Sequence, residues 1–134
     1  MADAIQFRWR EQLDDSQLVT LTLSHGGNAE PGWWNQIRRH SLGWVSAHTG
    51  GRVLIGFANV AWDGGDHAFL LDPKVHADYQ RRGIGTELVR RCEQAARDAG
   101  CSWLHVDFRP ELRPFYFQAC GFRATDAGLI DLSG

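Results

Sequence analysis

Gln80-Arg81-Arg82-Gly83-Ile84-Gly85 is the stretch on which the reading of this chain turns. An apolar run, Ala68-Phe69-Leu70-Leu71, precedes it, and an amphipathic helix predicted over Thr86–Ala99 follows directly. Strand, basic glycine loop and helix, in that order, make a holder for phosphate. Backbone N–H groups at a helix start lack intrahelical partners, and the helix dipole adds positive potential there. The glycines let the backbone approach an anion closely, and the two arginines add charge and bidentate donors. Two better-known phosphate loops do not fit. A P-loop carries Lys and then Ser or Thr after its last glycine, whereas Gly85 is followed by Thr86 and Glu87. A dinucleotide-binding loop carries a third glycine three residues after the second, and that position is Leu88, too large for the close helix–strand contact. The plain alternative is a basic glycine turn that only caps a helix.

The composition fits one domain spanning residues 1–134. With 43% apolar residues and six tryptophans the chain buries a real core. Fourteen basic against sixteen acidic side chains give a formal charge of −2, which argues against general nucleic-acid binding. Cys92, Cys101 and Cys120 form no C-x-x-C pair, so neither a metal site nor a disulfide frame is expected. Cys92 falls on the apolar face of the predicted helix and is expected in the core. No signal peptide opens the sequence and no apolar run approaches transmembrane length. The expectation is a cytoplasmic protein without a membrane partner.

Around the loop, Ile5 to Arg10 alternates apolar and polar residues, the period of a half-buried strand. Asp14-Asp15-Ser16 predicts the start of a short helix carrying Leu18 and Leu21, ended by Gly26-Gly27-Asn28. Pro31 opens a second helical piece, Trp33 to His40. Leu42–Thr49 turns at Gly50-Gly51 into Arg52–Trp62, and Asp63-Gly64-Gly65-Asp66 leads into His67–Leu71, so three antiparallel strands precede the loop. After it, Leu88, Cys92, Ala95, Ala96 and Ala99 mark the buried face of the helix, which Gly100 stops. Trp103–Phe108 reads as a buried strand, Glu111–Ala119 as a helix with Pro114 near its start, and Gly121–Leu132 as one or two final strands. The crossover through the long helix makes His67–Leu71 and Trp103–Phe108 a parallel pair. The fold class is mixed α/β: a mainly antiparallel sheet with a central parallel pair, flanked by helices.

The spacing Gln-x-x-Gly-x-Gly in Gln80–Gly85 resembles the acetyl-CoA pyrophosphate loop of the GCN5-related N-acetyltransferase (GNAT) superfamily, and the element order is similar to that of the same family. The segment Phe69-Leu70-Leu71-Asp72-Pro73-Lys74-Val75-His76-Ala77-Asp78-Tyr79 leading into the loop looks like the family's central signature. Phe115-Tyr116-Phe117-Gln118-Ala119-Cys120-Gly121-Phe122 looks like its C-terminal segment, an aromatic helix ending in Gly-Phe. The resemblance implies that backbone N–H groups from Arg81 to Thr86, through Arg82, Gly83, Ile84 and Gly85, hold the pyrophosphate beside Gln80. It implies that Leu71, Asp72, Pro73 and Val75 line the acetyl and pantetheine end, on a strand that splays from its neighbour. Three departures stand out. Pro73 sits where the family strand has an apolar residue, which a bulge or strand edge tolerates. Phe108-Arg109-Pro110-Glu111 lacks the Asn often found before the last helix. The usual catalytic tyrosine position, four residues before Gly121, is Phe117; Tyr116 is one residue earlier, about 100° away on an α-helix.

Acetyl transfer to an amine requires the amine to lose a proton, the thioester oxygen to gain hydrogen-bond donors, and the thiolate to leave. The position where the family often carries its base is near Phe69, which cannot act. His67 shares the strand parity of Phe69, and a bulge at Pro73 would bring Asp72 inward, so these two are the candidate bases. Tyr116 is the candidate acid, with core packing as its alternative role. Trp33 and Trp34 follow a Gly/Pro-rich loop and are candidates for the wall of an acceptor pocket. Adjacent helical residues cannot both face the core, so one of the two packs on the sheet. The reading is an acetyl-CoA-dependent N-acetyltransferase acting on a primary amine by direct attack in a ternary complex, with Cys120 serving as packing and not as an acetyl carrier. Its rivals are a non-catalytic acyl-CoA-binding or regulatory domain of the same fold and, more distantly, a nucleotide-binding module of another fold. The charge selects no acceptor among polyamine, antibiotic, amino acid and protein amine, and the resemblance admits a homodimer without showing an interface.

Overall fold

The computed structural model describes residues 4–134. Among them five strands form one sheet in chain order: β1 (Gln6–Trp9), β2 (Ser41–His48), β3 (Leu54–Trp62), β4 (His67–Val75) and β5 (Trp103–His105). The first four pair antiparallel, as the hairpin turns predict, and β5 pairs parallel to β4. That parallel pair needs a long crossover, and α3 (Ile84–Asp98) supplies it.

The alternation of the central strands divides the core between two faces. Val45, Ala47, Ile55, Ala58, Val60, Ala68 and Leu70 point to one side, where α3 covers them with Ile84, Leu88, Val89, Cys92 and Ala96. Cys92 is fully buried there, and its burial pushes the thiol pKa up to about 12. Trp44, Leu54 and Phe57 point to the other side, beneath α1 (Asp15–Ser24) and α2 (Trp33–Ile37). The Gln17 side chain accepts a hydrogen bond from the Asp14 N–H at 2.8 Å and so fixes the start of α1. Asp15, in the first turn, accepts from the N–H groups of Gly32 at 2.7 Å and Trp34 at 3.1 Å. One carboxylate thereby ties α1 to the start of α2 and sets the direction of the tryptophan pair.

Three expectations are revised. The second helical piece is α2 followed by a 3₁₀ turn over Arg38–His40. The predicted helix over Glu111–Ala119 is a 3₁₀ turn, Pro110–Leu112, followed by α4 (Pro114–Ala119), which is a π-helix closed by Cys120 N–H donating to Phe115 O at 2.9 Å. Two prolines four residues apart remove the donors that a continuous α-helix would use. No strand forms over 121–132, and β5 stops at His105, so the parallel pair stands at the edge of the described sheet. The last segment holds Leu129, Ile130 and Leu132, all more than four-fifths exposed, among Gly and Asp. Without a buried face its backbone has no reason to leave water.

Candidate functional site

The basic loop closes around the start of α3. Gly83 is the N-cap residue at φ 79, a left-handed conformation that glycine adopts without a Cβ penalty. Nothing lies within 4 Å of where a side chain on Gly83 would begin, so the space above the helix start is open. The first intrahelical bond runs from Glu87 N–H to Gly83 O at 3.1 Å. The N–H groups of Ile84, Gly85 and Thr86 are therefore left at the helix start. Arg81, Arg82 and Gly83 are exposed around them. The Arg82 guanidinium lies 5.1 Å from the Tyr79 ring centroid, which orients it. Gln80 also bonds within the protein. Its side-chain amide donates to Val75 O at 3.2 Å and joins the loop to the end of β4. Gly85 permits close packing, since a Cβ there would sit 3.3 Å from the Phe115 ring.

β4 carries the bulge that Pro73 calls for. Asn59 pairs with Leu71 and Phe57 with Lys74, so both Asp72 and Pro73 oppose Ala58. Asp72 takes φ 55, a left-handed value that Asp tolerates better than most residues. The bulge absorbs the missing proline N–H and re-aims the side chains that follow. Asp72 and Lys74 both line a cavity of about 170 Å³ with Asp15, Thr22, Glu30 and Trp33 on the α1–α2 side. Lys74 donates to Thr22 Oγ1 at 3.0 Å and lies over the Trp33 ring at 5.1 Å. Burial lowers its pKa against the pull of Asp72, and burial raises the pKa of Asp72 against the pull of Lys74. Asp72 itself remains open to solvent.

The tryptophans separate as adjacent helical residues must. Trp34 is wholly buried against Trp44 and Phe57 and is a core residue, whereas Trp33 walls the cavity. His67 lies at the start of β4, away from the cavity. Its Nδ1 is 2.7 Å from Nε2 of His105 on β5, and the His105 ring stacks on Phe69 at 4.6 Å. The β4–β5 pairing ends at Phe69 and His105, so the strands part immediately beyond that rung.

Tyr116 is 4% exposed, stacked on Phe108 at 4.4 Å, and burial pushes its pKa up to about 12. The π-helix changes its phase. The turn closed by Cys120 N–H on Phe115 O spans five residues where an α turn spans four, and Tyr116 lies within it. Sequence reasoning missed Lys74, Asp15, Glu30 and His105. For His105 the residues offered only its place on the strand predicted parallel to β4; the register that sets it beside Phe69 comes from the structure. Among the described residues no group of three or more His, Cys, Asp or Glu is arranged to hold a metal ion, and no helix is long and apolar enough to cross a membrane.

The family model described as "Acetyltransferase (GNAT) family" matches residues 7–122. A curated protein named probable glucosamine 6-phosphate N-acetyltransferase 2, from Oryza sativa subsp. japonica, is 41% identical over 59 residues. That match covers 44% of this chain and 35% of the relative, so the chain spans about a third of the length of the curated relatives it matches. A GNAT family acetyltransferase structure from Streptococcus pneumoniae superimposes with a TM-score of 0.79 at 20% identity, covering 97% of this chain and 100% of the other. An aminoglycoside N-acetyltransferase in complex with CoA superimposes with a TM-score of 0.72 at 21% identity, over 98% and 95% of the two chains. At these identities both structures show the fold.

Proposed function

The chain belongs to the acetyltransferase (GNAT) family, and on that footing we propose that it transfers the acetyl group of acetyl-CoA to a primary amine by direct attack in a ternary complex. The observation that carries this reading is the parting of β4 and β5 beyond Phe69 and His105. Asp72 and Lys74 of β4 line the cavity on the α1–α2 face, and Gln80 ties the end of the same strand to the loop before α3. On this reading the anionic end and the acceptor end are joined along β4. From Val75 back to Leu70 five residue steps span at most about 16 Å, shortened by the bulge, a reach suited to an arm between a pyrophosphate and a reacting carbonyl. In this reading the N–H groups from Arg81 to Thr86, with the two arginines, hold the pyrophosphate. Backbone groups around Leu71, Asp72, Pro73 and Val75 line the thioester end.

The cavity takes the acceptor. Trp33 gives it an apolar wall, and Asp72 draws in a cationic group of the acceptor that lies away from the reacting amine. Lys74, held by Thr22, balances part of the Asp72 charge when the cavity is empty. Replacing Asp72 by Asn is expected to raise the acceptor KM about tenfold, with kcat changed less than about threefold, because one charge-assisted contact is lost. Steady-state kinetics on a diamine decides this; an unchanged KM removes Asp72 from acceptor binding.

Tyr116 serves the leaving thiolate by hydrogen bonding. With its pKa at about 12 and a thiol near 8.5, complete proton transfer is uphill by roughly 5 kcal/mol. A hydrogen bond carries no such cost. Tyr116→Phe is therefore expected to lower kcat about tenfold and not to abolish turnover. A rate within twofold of wild type would remove Tyr116 from the mechanism.

The reaction itself is tested by thiol release from acetyl-CoA over a panel of amines: 1,4-diaminobutane, kanamycin, glucosamine 6-phosphate and lysine. Release that depends on one of them supports the proposal. Saturable acetyl-CoA binding with no release on any of them would assign the fold to acyl-CoA binding alone.

A further inference from the structure

His67 and His105 make a side-chain contact that spans β4 and β5 close to the rung where the strands part. We propose that His105 takes the proton of the acceptor ammonium and that His67 is its positioning residue, sharing the charge through the Nδ1···Nε2 bond. This rests on the acetyltransferase reading above.

Three observations carry it. The first is position. Phe69 with His105 is the last paired rung of β4 and β5, and β4 runs on from there to Val75 without that partner, so in the reading above a thioester lying along this stretch ends beside the His105 ring. The second is the face. His105 stacks on Phe69, which has no ionisable group of its own. The neighbouring strand thus brings an imidazole to that rung of β4. The third is orientation. His105 uses Nε2 for the bond of 2.7 Å to His67 Nδ1, and its Nδ1 has no partner among the described residues. An imidazole changes protonation near neutrality, as a base for this reaction requires.

The charged groups around the pair come from both ends of the rung. Asp63 accepts from the His67 N–H at 3.2 Å, and its backbone donors, Gly65 first and then His67, hold its carboxyl below the usual carboxylate range. Asp66 accepts from the Ser102 hydroxyl at 3.2 Å. Arg123 lies over the Trp103 ring at 5.8 Å, on the strand position paired with His67. Asp63 and Asp66 are thus the anions, and Arg123 the cation, on the elements around the pair.

The step balances without a further reactant. The ammonium gives one proton to His105 Nδ1. The freed nitrogen lone pair forms the C–N bond at the thioester carbonyl, the C–S bond breaks, and the sulfur leaves with its electron pair. The second nitrogen proton passes to the thiolate. The products are the amide and the CoA thiol, with the first proton released from the histidine pair to solvent.

The test is thiol release from about pH 5.5 to about pH 10, using whichever panel amine the wild type turns over. His105→Gln is expected to lower kcat/KM for the amine about 100-fold near neutrality. The loss should shrink toward the amine's own pKa of about 10.4, where the free base is abundant. The acetyl-CoA KM should stay within about twofold. His67→Gln, which keeps a hydrogen bond but cannot carry a proton, is expected to lose about tenfold and to shift the acid limb of the profile. Added imidazole should restore part of the rate of His105→Ala, a readout that a packing role would not give. A His105→Gln enzyme with wild-type rate and acid limb overturns the proposal while leaving the acetyltransferase reading intact. So does loss of the acid limb in Asp72→Asn alone. A wild type that binds acetyl-CoA but releases no thiol from any panel amine overturns both.

Discussion

Trp34→Ala is expected to cost about 3–5 kcal/mol of folding stability. Trp34 is 0% exposed and packs edge-on against Trp44 at 4.7 Å and Phe57 at 5.1 Å. Its removal leaves a void beneath α2, a helix of five residues with little else to hold it. For a domain of this size the loss lowers the thermal midpoint by roughly 10–20 °C. Trp34→Phe is the informative control. The Trp34 indole N–H is buried without a hydrogen-bond partner, as is the Asn59 side-chain oxygen on the same face of the sheet. An unsatisfied buried donor is itself unfavourable by about 1–3 kcal/mol, so Phe removes a penalty along with some packing and should lose less than about 2 kcal/mol. Thermal unfolding of the three proteins decides it. Equal losses for Ala and Phe would show that the indole nitrogen, and not the ring, does the stabilising.

The tryptophan pair also shows what was legible in the sequence. Adjacency on a helix dictates that one ring faces the core and the other does not, but it does not say which. Asp15 chooses, by bonding Gly32 and Trp34 N–H groups from 17 and 19 residues away. The strand order, the parallel pair and the cofactor-type loop follow from local patterns: alternation, turn chemistry, and glycine at a helix start. The bulge was legible too, because proline has no ladder donor to offer. What stayed hidden depends on contacts between distant segments. Lys74 enters the cavity because Thr22 and Trp33 meet it there. His105 matters because the register places it beside Phe69. The missing last strand had a weaker cause. Leu129, Ile130 and Leu132 have the character of a strand, but among the described residues no surface covers them. The π-helix was hidden because the residue count before Gly121 has no helix type attached to it.

Reversing both loop charges, Arg81→Glu with Arg82→Glu, is expected to weaken acetyl-CoA binding about 100-fold or more. Each arginine offers charge-assisted hydrogen bonds to the pyrophosphate, worth about 1.5–3 kcal/mol where fully formed. Both side chains are exposed, so screening by solvent and salt reduces those values. A combined loss near 3 kcal/mol remains, which is about two orders of magnitude in Kd, and the added carboxylates repel the phosphates. The helix start persists in the variant, because Gly83 and the N–H groups of Ile84, Gly85 and Thr86 are untouched. Stability should therefore change little, which separates a binding defect from misfolding. A truncated donor sharpens the comparison. Acetyl-pantetheine carries the thioester but lacks the pyrophosphate, so its KM should be the same for wild type and variant. The acetyl-CoA defect should also shrink as ionic strength rises, since salt screens attraction in the wild type and repulsion in the variant. A variant that loses acetyl-pantetheine and acetyl-CoA equally would show that the loop shapes the whole cleft and does not grip one end of the donor. An unchanged acetyl-CoA affinity would leave Arg81 and Arg82 as solvated charges beside a helix cap.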